Sequence, residues 1–194
     1  MSKLRRPAVF LDRDGVMIAN RPAYVRSWGD VEIFPQAVQA LQQLAQLPYA
    51  VILVTNQSVV GRGIISQTAA EMIHARVVDH FEQAGGRIDG SYLCLHAPED
   101  DCACRKPLPG LLLQAARELE IDLARSIMVG DALTDLAAGR AAGVGTLILV
   151  RTGRGGAQLE LPEAAAQQPF EVMDDLLSVV EILPGEKNQE TDQN

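Results

Sequence analysis

Two carboxylates, Asp12 and Asp14 in "VFLDRDG", close a short apolar run and are followed by a glycine. Side chains two apart on extended backbone point the same way, so both can face one ligand while Gly15 lets the chain turn off the strand. Such a pair suits a phosphate ester and a divalent cation. A carboxylate is ionised at neutral pH without help, and a bound magnesium ion would screen its repulsion from an anionic substrate. Asp12 can then attack phosphorus to form an aspartyl-phosphate, while Asp14 protonates the leaving oxygen and later activates water. Three further groups complete that chemistry. Thr55 in "VTNQS" would donate to a phosphoryl oxygen, Lys106 in "RKP" would neutralise charge in the transition state, and Asp131 in "VGDALTD" would hold magnesium.

Each piece alone has a plainer reading. Asp-x-Asp-Gly is a common acidic turn, "TNQS" a polar strand-to-loop junction, "GDALTD" a turn leading into a helix cap, and Lys106 a solvated lysine. Their joint occurrence, in this order and at successive strand ends, is the specific signal.

All three cysteines lie between Cys94 and Cys104, with His96 among them. Cys94, His96, Cys102 and Cys104 form a donor set that closes a tetrahedral zinc site with no open position, which implies a structural metal. Without a metal, Cys94 would merely end a buried strand, His96 would cap it and the other thiols would be incidental. A zinc-bound loop would cross-link a segment too polar to form a core, and would fix Arg105 and Lys106 beside the phosphate site.

The elements that must position these groups are legible as alternating apolar runs and amphipathic stretches. Strands are expected over Pro7–Asp12, Ala50–Thr55, Ile88–Leu95, 126–130 and 145–150. Helices are expected after Pro35, from a Thr68 and Glu71 capping box to Gly85, after Pro109, and over 133–142 with Gly143 as the stop. A last amphipathic helix is expected over Phe170–Leu183. This alternation implies an α/β fold: a Rossmann-like three-layer sandwich with a mainly parallel sheet. Residues 1–183 read as a single domain with no separate cap domain, because the segments between the catalytic groups are filled by one loop, helix and strand each. Residues 184–194 are polar and read as a disordered tail.

Net charge of −8 over 194 residues argues against a broad nucleic-acid or anionic-membrane surface. The N-terminal residues carry no apolar segment of signal-peptide length, and no run is long enough to span a bilayer. A cytoplasmic monomer is expected, with clustered thiols favouring metal ligation over disulfides. His74 and His80 lie six apart on one expected helix, share no face, and read as surface or partly buried histidines.

The four motifs together resemble those of the haloacid dehalogenase-like phosphatases, over roughly Pro7 to Gly153. Within that superfamily the chain resembles the capless branch that holds the D-glycero-D-manno-heptose 1,7-bisphosphate phosphatases and the histidinol-phosphate phosphatases. The resemblance implies Asp12 as nucleophile, Asp14 as acid/base, Thr55 and Lys106 as phosphoryl stabilisers, and Asp131 as magnesium ligand with Asp12 and the Asp14 backbone carbonyl. It also implies zinc in the cysteine loop. Substrate contacts are expected from Asn20, Arg21 and Tyr24 in "NRPAYV", from Asn56, Gln57, Ser58 and Arg62 in "TNQSVVGRG", and from Arg105. Ser58 and "GTLILVRTG" are similar to the heptose branch, whereas the five-residue gap between His96 and Cys102 is the short form usual in histidinol-phosphate phosphatases. Ala132 departs from the basic residue often found after the magnesium aspartate, a role Arg105 could take. "RTGRGG" reads as a flexible loop in which Arg151 could reach a distal part of the substrate. The expected activity is removal of the C7 phosphate from the heptose bisphosphate. Histidinol-phosphate hydrolysis, a phosphotransferase, and a zinc-stabilised binding protein without catalysis are the rivals.

Overall fold

The apolar run Ala8–Leu11 (β1) is a fully buried strand whose side chains alternate between two cores. The structure, a computed structural model, describes residues 5–184. The chain continues through a 3-10 turn at Trp28–Asp30, Pro35–Leu44 (α1), Ala50–Asn56 (β2), Ser58–Gly61 (α2), Gln67–Gln83 (α3) and Gly90–Cys94 (β3). Gly110–Glu118 (α4), Ile127–Gly130 (β4), Leu133–Ala142 (α5) and Thr146–Val150 (β5) follow. Gly155–Leu159 (α6), Pro162–Ala166 (α7), Glu171–Met173 (β6) and Leu176–Glu181 (α8) complete the described chain.

The six strands form one sheet in the order β3-β2-β1-β4-β5-β6, and every pairing is parallel. Val9 and Leu11 face α1, α3 and α8 through Leu41, Val77, Phe81 and Val179. Ala8 and Phe10 face α4 and α5 through Leu112, Ala115 and Leu136. A sheet buried on both faces explains why its central strands carry almost no polar residue. The segment between β1 and β2 holds a 3-10 turn and α1, and that between β2 and β3 holds α2 and α3.

Three local expectations are corrected. Helix α3 is capped two residues before Thr68, because the Ser66 hydroxyl accepts the Ala69 N–H at 3.2 Å. The single helix expected over 170–183 is instead β6 and α8: backbone groups of 171–173 pair with the free edge of β5, and Asp175 caps the helix that follows. The short helices α2, α6 and α7 were not expected, since four or five residues carry no periodicity. Of the polar tail, residues 185–194 lie outside the described chain.

His74 is buried rather than superficial; its Nε2 pairs with the Ser91 hydroxyl of β3 and its Nδ1 has no partner. Burial, aided by the charge of Arg13, pushes its pKa down from 6.5 to about 3. The folded protein therefore keeps a neutral ring while the unfolded chain takes up a proton below pH 6.5, so stability falls with pH through that window. By pH 5 the expected loss from this ring alone is about 2 kcal/mol. His74→Gln should cut the pH 7 to pH 5 loss in urea-unfolding free energy by that amount; an unchanged loss would refute the assignment.

Candidate active site and metal centre

The strand order reverses between β1 and β4, and a crevice opens beyond the carboxyl ends of those strands. Asp12 follows β1 directly, its N–H donating to the Val129 carbonyl at 3.0 Å, and Asp131 follows β4. Thr55 ends the buried part of β2, and Lys106 comes in from the loop after β3. A cleft of about 490 Å³ opens over Asp12, Asp14, Thr55 and Lys106, with Asn20 and Arg154 on its wall.

Lys106 is buried, and its ammonium donates to Asp12 Oδ1 at 2.6 Å and the Val54 carbonyl at 2.7 Å, with Asp135 Oδ1 at 2.7 Å. Burial opposes the charge, but the carboxylates of Asp12 and Asp135 outweigh it and raise the lysine's pKa. Its backbone is held at two points: Asn56 Nδ2 donates to the Lys106 carbonyl at 3.0 Å, and the Lys106 N–H donates to Asn56 Oδ1 at 3.1 Å. A cation so fixed needs no rearrangement to meet developing negative charge.

The Asp14 carboxylate turns to the other side. Arg13 Nε and Nη2 donate to its two oxygens at 3.1 and 3.2 Å, and Gln57 Nε2 donates to Oδ2 at 2.8 Å. Arg13 is only 1% exposed and donates also to Gln57 Oε1 at 2.8 Å. Gln57 Nε2 lies 3.0 Å from Thr55 Oγ1 and donates to it, which leaves the threonine proton free to point at a ligand. Gly15, at φ +97°, turns the chain away after the second aspartate, and its carbonyl accepts from Thr152 Oγ1 at 2.7 Å.

Asp131 is fully buried. The Arg154 N–H and Nε reach its Oδ2 at 2.9 and 3.2 Å, and Nη2 reaches Oδ1 at 3.0 Å. Burial raises the Asp131 pKa against the pull of Arg154. Asp12, Asp131 and Asp135 bring carboxylate oxygens within 4.8 Å of one another. Asn20 Oδ1 is buried with no donor, and a Cβ placed on Gly15 would sit 2.7 Å from it and 2.1 Å from Asp131 Oδ2. Crowded, buried, oxygen-only donors of this kind fit magnesium, a hard cation that takes one or two carboxylates and keeps several waters.

The cysteine loop is as compact. Cys94 Sγ lies 3.6 Å from both His96 Nδ1 and Cys102 Sγ, while Cys104 Sγ lies 3.3 and 3.5 Å from the same two atoms. A tetrahedron around zinc, with bonds of about 2.3 Å to sulfur and 2.0 Å to nitrogen, has edges of roughly 3.5–3.8 Å, within a few tenths of an ångström of these separations. The donors therefore fit zinc with His96 bound through Nδ1. The loop is wedged against its neighbours: a Cβ on Gly110 would meet the Ala103 carbonyl at 2.3 Å, and the Gln57 N–H donates to the Cys94 carbonyl at 2.7 Å.

A family model described as "HAD-hyrolase-like" matches residues 103–179. A relative from Bordetella bronchiseptica, named D-glycero-beta-D-manno-heptose-1,7-bisphosphate 7-phosphatase, is 40% identical over 175 residues, 90% of this chain and 96% of its own. The chain belongs to the haloacid dehalogenase-like phosphatases. The crystal structure of the Bordetella D,D-heptose 1,7-bisphosphate phosphatase, complexed with magnesium and phosphate, superposes with a TM-score of 0.81 at 39% identity. It covers 90% of this chain and 96% of that one. The Burkholderia thailandensis D,D-heptose 1,7-bisphosphate phosphatase gives 0.66 at 31% identity, over 91% and 97% of the two chains. As one of these phosphatases the chain is a phosphoric monoester hydrolase, which sets aside the non-catalytic rival.

In this haloacid dehalogenase-like phosphatase the expected substrate contacts divide into groups. Asn20, Arg21, Tyr24, Ser58 and Arg105 line the cleft. Arg21 is anchored by the Asp30 carbonyl at 2.7 Å and Glu32 at 3.0 Å, and Arg105 donates to the His96 carbonyl at 3.4 Å. Tyr24 stands 37% exposed at the rim. Asn56 and Gln57 border the cleft, but their polar atoms hold Lys106, Asp14 and Thr55. Arg62 is not on the cleft wall; at the end of α2 it faces Glu99 at 3.9 Å. Arg151 points away as well, pairing with Asp174 at 3.4 Å on the surface.

Two residues of this phosphatase went unnoticed in its sequence. Arg13 is hidden by its exposed-looking position between two aspartates, although a cation between two acids is itself a pairing signal. Arg154 lies in the glycine-rich "RTGRGG", where nothing local shows that the loop folds back 23 residues onto Asp131. Asp135, visible in the motif, turns out to share Lys106 with Asp12 and to cap α5 through the Ala132 N–H at 3.0 Å.

Proposed function

We propose that the protein removes the C7 phosphate of D-glycero-D-manno-heptose 1,7-bisphosphate through an aspartyl-phosphate on Asp12, with catalytic magnesium and structural zinc. The observation that carries the chemistry is the buried Lys106 ammonium on Asp12 beside Thr55, at the inner end of a cleft with further arginines. The sugar rests on similarity to phosphatases of that name along nine tenths of the chain.

Asp12 attacks phosphorus, and the bond to the sugar oxygen breaks. Lys106 and the Thr55 hydroxyl take up charge on the phosphoryl oxygens. Asp14, steadied by Arg13 and Gln57, gives its proton to the leaving alkoxide. It then removes a proton from the water that attacks phosphorus, freeing phosphate and restoring Asp12. Asp12, Asp131 and the Asp14 carbonyl would hold magnesium, which when bound screens the carboxylates from the phosphate. Cys94, His96, Cys102 and Cys104 would hold zinc and brace Arg105 and Lys106.

Histidinol phosphate is the rival substrate, favoured by the short spacing between His96 and Cys102. Heptose bisphosphate should be turned over with at least tenfold higher kcat/KM than histidinol phosphate, measured as phosphate release with magnesium. The reverse ratio would overturn the assignment. The same reading has a cytoplasmic monomer; among the described residues no helix is long and apolar enough to cross a membrane.

A further inference from the structure

Arg154 is the cation most directly committed to a group that the proposed reaction needs elsewhere. Its backbone N–H and two guanidinium nitrogens occupy both oxygens of Asp131. Asp131 is fully buried, yet the Arg154 side chain is 56% exposed and lies on the cleft wall beside Asp12 and Thr134. One end of this ion pair is thus enclosed, while the other is open to solvent and to the cleft. The loop that carries it is tied down on either side: Thr152 holds the Gly15 carbonyl, and the Gly155 N–H donates to the Thr152 carbonyl at 3.0 Å. Only the side chain needs to move.

We propose that Arg154 is an exchangeable cover on Asp131: it yields the carboxylate to a divalent cation and then serves a second anionic group of the substrate. A guanidinium and a divalent cation cannot both own the same two oxygens, so a cation binding Asp131 releases the fork donors of Arg154. Once released, they sit on the wall of a cleft whose inner end receives the reacting phosphoryl group. A bisphosphate leaves its other phosphate in the outer part of that cleft, within the domain of a long side chain. Ala132, which follows Asp131, supplies no cation there. The inference rests on the bisphosphate reading only in its second half.

The test uses the full-length, zinc-loaded protein, stripped of other divalent ions and free of substrate. Binding of manganese, read by electron paramagnetic resonance, should tighten about tenfold in Arg154→Gln, because the competing donor is gone. Arg151→Gln removes the same charge one turn away, where the side chain pairs with Asp174 instead. It should bind manganese as the wild type does. An unchanged or weaker affinity in Arg154→Gln, or equal tightening in both variants, overturns the exchange. In steady state Arg154→Gln should raise KM for the heptose bisphosphate about tenfold while leaving KM for the heptose 7-phosphate unchanged. Equal effects on both substrates overturn the substrate role. Failure of the wild type to prefer the bisphosphate would instead reject the assigned substrate, with the manganese result still judging the exchange.

Discussion

Asp12→Asn is expected to lower kcat/KM for a phosphate monoester by about 10⁵-fold, the scale on which a nucleophile's removal acts. The amide keeps the shape of the carboxylate and can still accept from Lys106, whose ammonium retains Asp135 and the Val54 carbonyl. The fold should therefore survive, with a melting temperature within a few degrees of wild type. The loss is chemical: an amide oxygen does not displace an alkoxide from phosphorus, and a divalent cation loses one of its anionic ligands. Phosphate release with magnesium measures it, beside circular dichroism for the fold. Activity within tenfold of wild type would remove Asp12 from the reaction. So would an acyl-phosphate label found on another residue.

Loss of zinc should act on the same reaction from a distance. Burial pushes the Cys94 thiol up to about 12, so without a metal this sulfur stays protonated at neutral pH. Zinc binding reverses that by taking the thiolate, and the folded loop is the form that binds it. Purified protein should carry one zinc per chain, and Cys94→Ser should carry none. The segment from His96 to Lys106 then loses its cross-link, and with it the support of Arg105 and the two-point grip of Asn56 on Lys106. Activity should fall by about a hundredfold, in kcat more than in KM, with a clear drop in melting temperature. A zinc-free Cys94→Ser enzyme with wild-type kcat would show that the loop does not position the lysine.

The two effects differ in how far the primary sequence could foresee them. The donor types in "CLHAPEDDCACRKP" point to a metal-binding cluster of the kind zinc takes, because four metal-binding side chains within eleven residues meet through local chain reversal alone. The meeting of Asp12, Thr55 and Asp131 at one sheet edge was likewise legible, since each ends an apolar run and parallel strands deliver their carboxyl ends together, whereas Lys106 arrives from the loop after β3. The strands themselves are visible for the same reason: burial on both faces leaves uninterrupted apolar residues.

What the linear pattern could not carry is direction. Asn56 and Gln57 stand beside Thr55 in one motif, yet folding turns their amides onto Lys106, Asp14 and Arg13. Arg62, in the next turn, is carried out of the cleft to face Glu99. Arg151 and Arg154 share one glycine-rich loop and part ways, one to surface Asp174 and the other to buried Asp131. A side chain's neighbours across a sheet come from segments far away in the chain, and their identity depends on strand order and register, which no local periodicity contains. Chemistry was therefore readable where residue type and strand end coincide, while the division of the arginines into buried clamp, exchangeable cover and surface partner belongs to the tertiary fold.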